Sequence, residues 1–399
     1  MKRLNFQDNF LDHAHQQAKK KGFYDFPIFD ADCHHFSTPL LEIAELVEEP
    51  WRQRLIAGTQ GAKMTTLPAD LGDRTLGGRT KVKQHFHGGH KPNSERLHKD
   101  IYPLLESSQK MGIDYSIVFP TDLLTLGLHP DPLFEVALAY GYARWMTEKI
   151  LPQDDSLVTM LYLPFSDPEA CVRIVKEFGN KKGVVGFMVT SVRNQPVYHN
   201  SYMPLYKEIE ESGKPLGFHT VSYWLETPFK QFNNFMSAHA LGFPFFNMIQ
   251  LTNIVINGIP ERFPDLKFVF IEAGVTWLPF IMSRLDSDYM MRSSEAPSLT
   301  KKPSEYIKNF YFTSQPLEYL EKPEHMAMVF DMIDAENQLL YASDYPHQDF
   351  DTPSSLYDLP FLDNKAKKKI LGENALKLFN IDNPSLHSRR IFGDQTVKL

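Results

Sequence analysis

Short apolar runs alternate with helical patterns along most of the chain. Eight runs of this kind predict strands, at 27–35, 112–121, 156–165, 183–191, 214–221, 266–274, 309–315 and 338–347. Four stretches between them have the pattern of helices, at 134–149, 169–178, 203–212 and 277–288. This alternation predicts parallel β/α units, and eight units favour closure into a (β/α)8 TIM barrel. An open doubly wound sheet is the alternative, but no Gly-rich phosphate loop follows any of the strands.

The barrel is expected to form a single domain over 27–380, between an N-terminal extension (1–26) and a C-terminal tail (381–399). Two stretches, at about 42–108 and 221–265, are insertions beyond what a minimal barrel needs. Both follow the C-terminal end of a predicted strand, the rim where barrel enzymes build their active sites.

The segment 75–93 in the first insertion is Gly-rich and basic, and it contains His85, His87 and His90. Because long surface loops often gate a site, we favour a mobile lid. A metal-binding histidine cluster is the alternative.

Composition excludes several classes of protein. The chain has 399 residues, of which 42% are hydrophobic, so it is not mainly disordered. Its net charge of -7 argues against a nucleic-acid-binding protein. The two cysteines, Cys33 and Cys171, exclude a disulfide scaffold. The N-terminal sequence lacks the apolar core of a signal peptide, so we expect a cytoplasmic protein.

One uncharged stretch, at 231–260, is long enough to be mistaken for a membrane span. It contains Pro244 and several Asn and Gln residues. We therefore predict a buried helix and no membrane association.

The first predicted strand carries an unusual set of polar residues. Alternation places Asp30, Asp32 and His34 on one face of it. Two carboxylates and an imidazole inside a barrel are costly unless a charge compensates them. A divalent metal would do so, and Asp32-x-His34 has the spacing of a two-ligand site.

Two further strand ends carry residues of the same type. His219 ends the fifth strand and Asp344 the eighth. Together with Asp32 and His34 they predict one catalytic metal ion with a position left for water or substrate. Imidazole and carboxylate ligands suit zinc, manganese or iron.

Other candidates lie around this predicted centre. His239, in the second insertion, is a candidate general acid or base, or else a core histidine. Glu272 ends the sixth strand and either orients an imidazole or pairs with Arg262 or Arg284. Several aromatic residues are candidates for an apolar pocket wall, with core packing as the alternative; they are Phe36, Phe243, Phe246, Trp224 and Trp277.

Three sequence blocks carry a resemblance to a known family. They are FDADCHHFSTP at 29–39, the long block at 239–289, and YASDYPH at 341–347. They resemble the amidohydrolase superfamily, in the branch of aminocarboxymuconate-semialdehyde decarboxylase and γ-resorcylate decarboxylase. The resemblance implies a homodimer.

The family's site residues fall on matching positions of this sequence. The first-strand ligand pair falls on Asp32 and His34, so a carboxylate stands where many members have a histidine. The strand-five ligand falls on His219, the strand-eight ligand on Asp344, and the catalytic histidine on His239. The fourth strand has no metal-bridging lysine, which implies a single metal ion. The added carboxylate shifts the preference from zinc toward manganese.

The favoured function is therefore non-oxidative decarboxylation of an aromatic or enol-type carboxylic acid, a small molecule that bears a carboxylate. His239 or Asp344 would protonate the carbon that loses CO2. Hydrolysis of an amide, ester or lactone by metal-activated water would use the same residues and stays open. Two less favoured possibilities are a hydratase or C–C hydrolase of the same family, and a non-enzymatic protein, either a barrel whose metal site is only structural or a binding protein.

Overall fold

The computed structural model describes residues 10–35, 39–60, 97–99, 101–193, 195–221, 226–347, 349–382 and 384–389. Eight parallel strands form one sheet in the order β1 to β8. They are β1 Phe29–His34, β2 Tyr115–Phe119, β3 Leu157–Tyr162, β4 Val184–Thr190, β5 Leu216–His219, β6 Phe268–Ile271, β7 Tyr311–Thr313 and β8 Leu339–Leu340. Each strand lies within one of the predicted runs.

The sheet closes between its first and last strands. The backbone N–H of Ala31 donates to Tyr341 O at 2.9 Å, and that of His34 donates to Tyr345 O at 2.8 Å. The predicted (β/α)8 barrel is therefore confirmed.

Helices surround the barrel, and most of them connect consecutive strands. The α-helices are Phe10–Lys21, Leu40–Ala44, Trp51–Gln60, Tyr102–Met111, Pro132–Trp145, Pro168–Phe178, Met203–Glu211, Phe235–Ile256, Ile259–Arg262, Leu278–Arg292, Pro303–Ile307, Pro323–Met332, Ala335–Gln338, Ser354–Tyr357, Asn364–Lys368 and Asn374–Leu378. Several of these helices begin after an Asp or Asn residue whose side chain caps the first turn. The Asp131 side chain accepts a hydrogen bond from Leu133 N at the start of Pro132–Trp145, and the Asp167 side chain accepts one from Ala170 N at the start of Pro168–Phe178.

The chain outside the predicted barrel packs on it where it is described. In the N-terminal helix Phe10–Lys21, Leu11, Ala14 and Ala18 are buried. Near the C-terminus, Ser388 N donates to Asp114 Oδ1 at 2.8 Å. The end of the predicted first insertion falls in the helix Tyr102–Met111, which leads directly into β2.

The helix Phe235–Ile256, in the second insertion, covers part of the barrel mouth. Thr220, just after β5, donates through Oγ1 to Phe243 O at 3.0 Å. Farther along the helix, Asn247 Nδ2 donates to Ile271 O at 3.1 Å and Gln250 Nε2 to Ser191 O at 2.7 Å. These bonds fasten the helix to the ends of β4, β5 and β6.

The uncharged stretch is only partly buried, contrary to the prediction of a buried helix. Met236 is 76% exposed and Leu241 47% exposed on the same helix. The reason is geometric: a helix that lies over a barrel mouth contacts the barrel with one side only. None of the helices in the described ranges is long and apolar enough to cross a membrane.

Candidate metal centre

Three strand ends bring candidate ligands together at the mouth of the barrel. Asp32 and His34 end β1, His219 ends β5, and Asp344 follows β8. His34 Nε2 lies 3.2 Å from both Asp32 Oδ1 and Asp344 Oδ1. His219 Nε2 lies 3.4 Å from Asp32 Oδ1. The four residues that the sequence predicted as metal ligands therefore form one cluster in the fold.

The cluster has the unsatisfied polar atoms that a metal ion requires. All four side chains are fully buried. Among the described residues, no hydrogen bond reaches either carboxylate oxygen of Asp32, His34 Nε2 or His219 Nε2. Buried polar atoms are nearly always hydrogen-bonded in folded proteins, and the usual exceptions are functional. The donor set of imidazole nitrogens and carboxylate oxygens fits a divalent metal.

The pKa shifts of the cluster residues also indicate a site for a positive charge. Burial acts to raise the pKa of Asp32, but the imidazoles of His219 and His34 outweigh it and hold that pKa below its usual value. Burial acts to lower the pKa of His34, but the carboxylates of Asp32 and Asp344 raise it to about 9. The carboxylates thus draw a positive charge into the cluster. A bound metal would supply that charge in place of protons.

Glu272 lies beside His219. Its Oε2 is 3.5 Å from His219 Nδ1, and its side chain is 1% exposed. The pairing with Arg262 or Arg284 is not found: Arg284 contacts Asp288 at 3.0 Å, and Arg262 contacts Met203 Sδ at 3.5 Å. His219 Nδ1 makes its hydrogen bond with Thr220 O at 2.8 Å, so the position of Glu272 agrees only with a secondary part in orienting this imidazole. It also lies close enough to the Asp32, His34 and His219 donors to join a metal-binding group.

Two acidic residues of the site have strained backbones. Glu272 has φ 62° and Asp344 has φ 59°, in the left-handed region that non-glycine residues rarely adopt. Each such residue costs about 1–3 kcal/mol. The backbone N–H of Glu272 donates to Thr313 Oγ1 at 2.9 Å, which helps to hold this turn. Strain of this kind clusters at functional sites.

Two residues that sequence reasoning missed complete the inner site. His347 Nδ1 contacts Asp344 Oδ1 at 2.6 Å, and its ring lies 4.4 Å from that of His34. Thr121, which follows β2, has its Oγ1 3.1 Å from His34 Nδ1 and 3.5 Å from His347 Nε2. The Asp-x-x-His spacing of Asp344 and His347 was a signal for the first. No sequence signal marked Thr121.

Asp30 lies deeper than the cluster and has a different role. Its carboxylate accepts hydrogen bonds from Ser343 N at 2.7 Å and from Ser343 Oγ. Burial raises its pKa to about 8. Asp30 therefore joins β1 to the chain after β8, and Ser343 was another residue that the sequence did not indicate.

His239 lies on the helix that covers the mouth. Its Nε2 is 3.3 Å from Asp349 Oδ2, and its side chain is 21% exposed. Asp349 belongs to the loop after β8, whereas the helix follows β5. A helix that starts from β5 and reaches the β8 loop must lie over the mouth between them. His239 therefore lies at the mouth of the barrel, in contact with the loop after β8.

The predicted pocket wall is described only in part. Phe243 and Phe246 are buried, at 3% and 5% exposure, and Trp277 is 6% exposed. Phe243 packs against His239, with ring centroids 4.8 Å apart. Trp277 instead contacts Phe312 of β7. Phe36, Trp224 and the segment 75–93 lie outside the described residues.

Comparisons with known proteins agree with this architecture. The model of a family described as amidohydrolase matches residues 30–381. A γ-resorcylate decarboxylase from Polaromonas sp. (strain JS666 / ATCC BAA-500) is 21% identical over 264 residues, which cover 60% of this chain and 74% of that protein.

Two solved structures share the fold. The 5-carboxyvanillate decarboxylase of Sphingomonas paucimobilis has a TM-score of 0.64 at 18% identity, over 90% of this chain and 100% of that one. A dihydroxybenzoic acid decarboxylase of Polaromonas sp. JS666, with bound manganese and the inhibitor 2-nitroresorcinol, has a TM-score of 0.62 at 17% identity, over 89% and 97%. The resemblance predicted from the sequence is confirmed by these matches.

Proposed function

This chain belongs to the amidohydrolase family, and we propose that it is a metal-dependent decarboxylase of small aromatic or enol-type carboxylic acids. The observation that carries the proposal is the buried cluster of Asp32, His34 and His219, which lies beneath the helix that carries His239. The facing atoms of this cluster have no hydrogen bonds within the described part of the chain. The relatives are named as decarboxylases of aromatic acids, which favours decarboxylation over hydrolysis.

The residues that would hold the metal are Asp32, His34, His219 and Asp344. When bound, a divalent metal supplies a Lewis acid that anchors a carboxylate and neutralises its charge. Manganese is the metal that we favour. One relative has manganese bound in its solved structure. In addition, the two carboxylates make this donor set richer in oxygen than an all-histidine site, and oxygen ligands favour manganese over zinc. Zinc is the alternative metal.

The chain's own residues would then perform the proton transfers. His239 donates a proton to the ring carbon that bears the carboxylate, which makes that carbon tetrahedral. The bond from this carbon to the carboxylate breaks, its electron pair restores the ring, and CO2 leaves. Acid catalysis of this kind contributes typically about 10²–10⁴-fold. Asp344 is the second candidate donor, although His347 already holds one of its oxygens.

Burial of the inner site supports a reaction that releases CO2. Phe243 and Phe246 are both nearly fully buried. Their rings would help to exclude water from a substrate bound beneath this helix, which would strengthen the electrostatic interactions there. A homodimer and a cytoplasmic location are parts of the same proposal that rest on the family resemblance and on the N-terminal sequence.

The test is a panel of hydroxybenzoates, including γ-resorcylate and 5-carboxyvanillate, incubated with the manganese- and zinc-loaded protein. CO2 release is measured alongside ester, lactone and amide hydrolysis. We expect CO2 release from at least one hydroxybenzoate. His239→Asn should keep the metal and lose turnover by about 10²–10⁴-fold. Hydrolysis without CO2 release, or full turnover by His239→Asn, would contradict the proposal.

A further inference from the structure

We propose that Asp349 is the positioning residue for His239, an inference that rests on the proposed function and deepens it. Asp349 Oδ2 lies 3.3 Å from His239 Nε2. The two atoms are close enough for an ion pair, but the contact does not have the alignment of a hydrogen bond in this structure. Catalytic hydrogen bonds are often long before substrate binds.

Aromatic rings fix the histidine on its other sides. The ring centroids of Phe235 and Phe243 lie 4.9 and 4.8 Å from that of His239. Both belong to the same helix as His239, four residues before it and four after it, so they flank its side chain. The helix thus supplies packing for the ring, and Asp349 supplies a charged contact from another described part of the chain.

Asp349 is itself held in place. Gln315, just after β7, donates through Nε2 to Asp349 O at 3.3 Å. Farther along the loop, Asp351 N donates to Ser343 O at 2.9 Å, and Leu317 N donates to Asp351 Oδ2 at 3.1 Å. The loop that presents Asp349 is therefore tied to the ends of both β7 and β8.

The same loop begins with Asp344, a predicted metal ligand. One short segment thus carries a ligand of the cluster and the carboxylate that contacts His239. This arrangement couples the position of the acid–base group to that of the metal centre. Acid–base catalysis depends on such positioning, because the proton donor must lie within hydrogen-bond reach of the reacting atom.

The contact also selects the tautomer of the imidazole. A carboxylate that accepts a hydrogen bond from Nε2–H leaves Nδ1 as the nitrogen that exchanges a proton with substrate. The nitrogen that carries the proton in a neutral imidazole is set by the hydrogen bond that the ring makes. The contact therefore places Nε2 toward Asp349 and leaves Nδ1 as the nitrogen available for proton exchange.

The first test is kinetic, with the metal-loaded full-length protein. Asp349→Asn should lower kcat about 10- to 100-fold, the rate equivalent of one charge-assisted hydrogen bond, with little change in KM and full metal content. Asp349→Glu should recover part of the loss. In a His239→Asn background, Asp349→Asn should have no further effect. An equal loss in both backgrounds would overturn the proposal.

Asp358→Asn is the matched control. It removes an exposed carboxylate from the segment after β8, where Asp358 pairs with Lys21 at the surface. This variant should retain the activity of the unmodified protein. A loss as large as that of Asp349→Asn would show a general effect of charge and overturn the specific role.

The second test needs no turnover, so it separates this inference from the proposed function. The 15N NMR spectrum of histidine-labelled, zinc-loaded protein, with His239 assigned from His239→Asn, reports which ring nitrogen carries the proton. We expect Nε2–H in the unmodified protein and a shift toward Nδ1–H in Asp349→Asn and Asp349→Ala. The same tautomer in all three proteins would overturn the inference. If no hydroxybenzoate is decarboxylated but the shift occurs, the proposed function fails and the role of Asp349 stands.

Discussion

The hydroxyl of Thr121 should strengthen metal binding through His34. Its Oγ1 lies 3.1 Å from His34 Nδ1, and His34 is fully buried. Thr121→Val removes this hydroxyl and leaves the shape of the side chain nearly unchanged. The substitution leaves a buried imidazole nitrogen without this partner, at a cost of about 1–3 kcal/mol. A metal on Nε2 fixes the ring, so the penalty falls mainly on the metal-bound state.

The expected result is a metal affinity lower by roughly 5- to 150-fold, at about 1.4 kcal/mol for each factor of ten. Removal of the outer hydrogen bond to a ligating histidine typically costs a similar 10–100-fold. Affinity is measured by competition with a chelator of known strength. Thr121→Ser keeps the hydroxyl and is the control, with an affinity near that of the unmodified protein. An unchanged affinity in Thr121→Val would refute this role.

Three further predictions concern stability. Removal of the metal by a chelator should lower the melting temperature by several degrees, because metal at about 100 times its Kd contributes about 2.7 kcal/mol; calorimetry that gives the same temperature with and without the chelator would contradict this. Burial raises the pKa of Asp114 from 3.8 to about 6, so the folded state disfavours its charged form. The contribution of Asp114 to stability should be full below pH 4 and should fall by about 3 kcal/mol as the pH rises through 6; urea denaturation of the unmodified protein and of Asp114→Asn across this range gives the difference, and parallel pH profiles would count against it. Gly274 has φ +64°, and an added Cβ would meet Glu318 Oε1 at 2.5 Å and Pro316 O at 2.8 Å. Gly274→Ala should therefore destabilise the protein by more than Gly213→Ala, whose glycine has φ +66° but open space around it; equal denaturation midpoints in the two variants would contradict the steric argument.

The barrel was predictable because its signal is periodic and repeated. Every strand falls within a predicted apolar run, even β8, which is only Leu339–Leu340. The chain turns four residues after this strand, at Asp344, where φ is 59°. A run of apolar residues marks where a buried strand lies, but it does not show where backbone pairing stops. The positions where strands end were therefore predicted less accurately than the presence of the strands.

The cluster was predictable in part because strand ends share one rim. Asp32, His34, His219 and Asp344 each lie at such an end, and parallel strands bring these ends together. The helix around His239 was predicted as buried and is half exposed, since periodicity does not show which surface a helix covers. The contact between His239 and Asp349 joins distant parts of the sequence, and only the folded chain reveals it.

Thr121 and Ser343 show the remaining limit. Both act through hydrogen bonds, Thr121 to His34 Nδ1 and Ser343 to Asp30. Threonine and serine after a strand are common in any barrel. Such a residue gains a role only when a buried polar partner comes within about 3 Å of it.

The central claim is that the buried cluster binds one divalent metal ion. Elemental analysis tests it most directly, with the metal counted per chain after incubation with manganese or zinc and removal of the free ion, in the unmodified protein and in His219→Ala. The account predicts about one metal ion per chain in the unmodified protein and a large loss of metal in His219→Ala. No bound metal in the unmodified protein, or an equal metal content in His219→Ala, would contradict it.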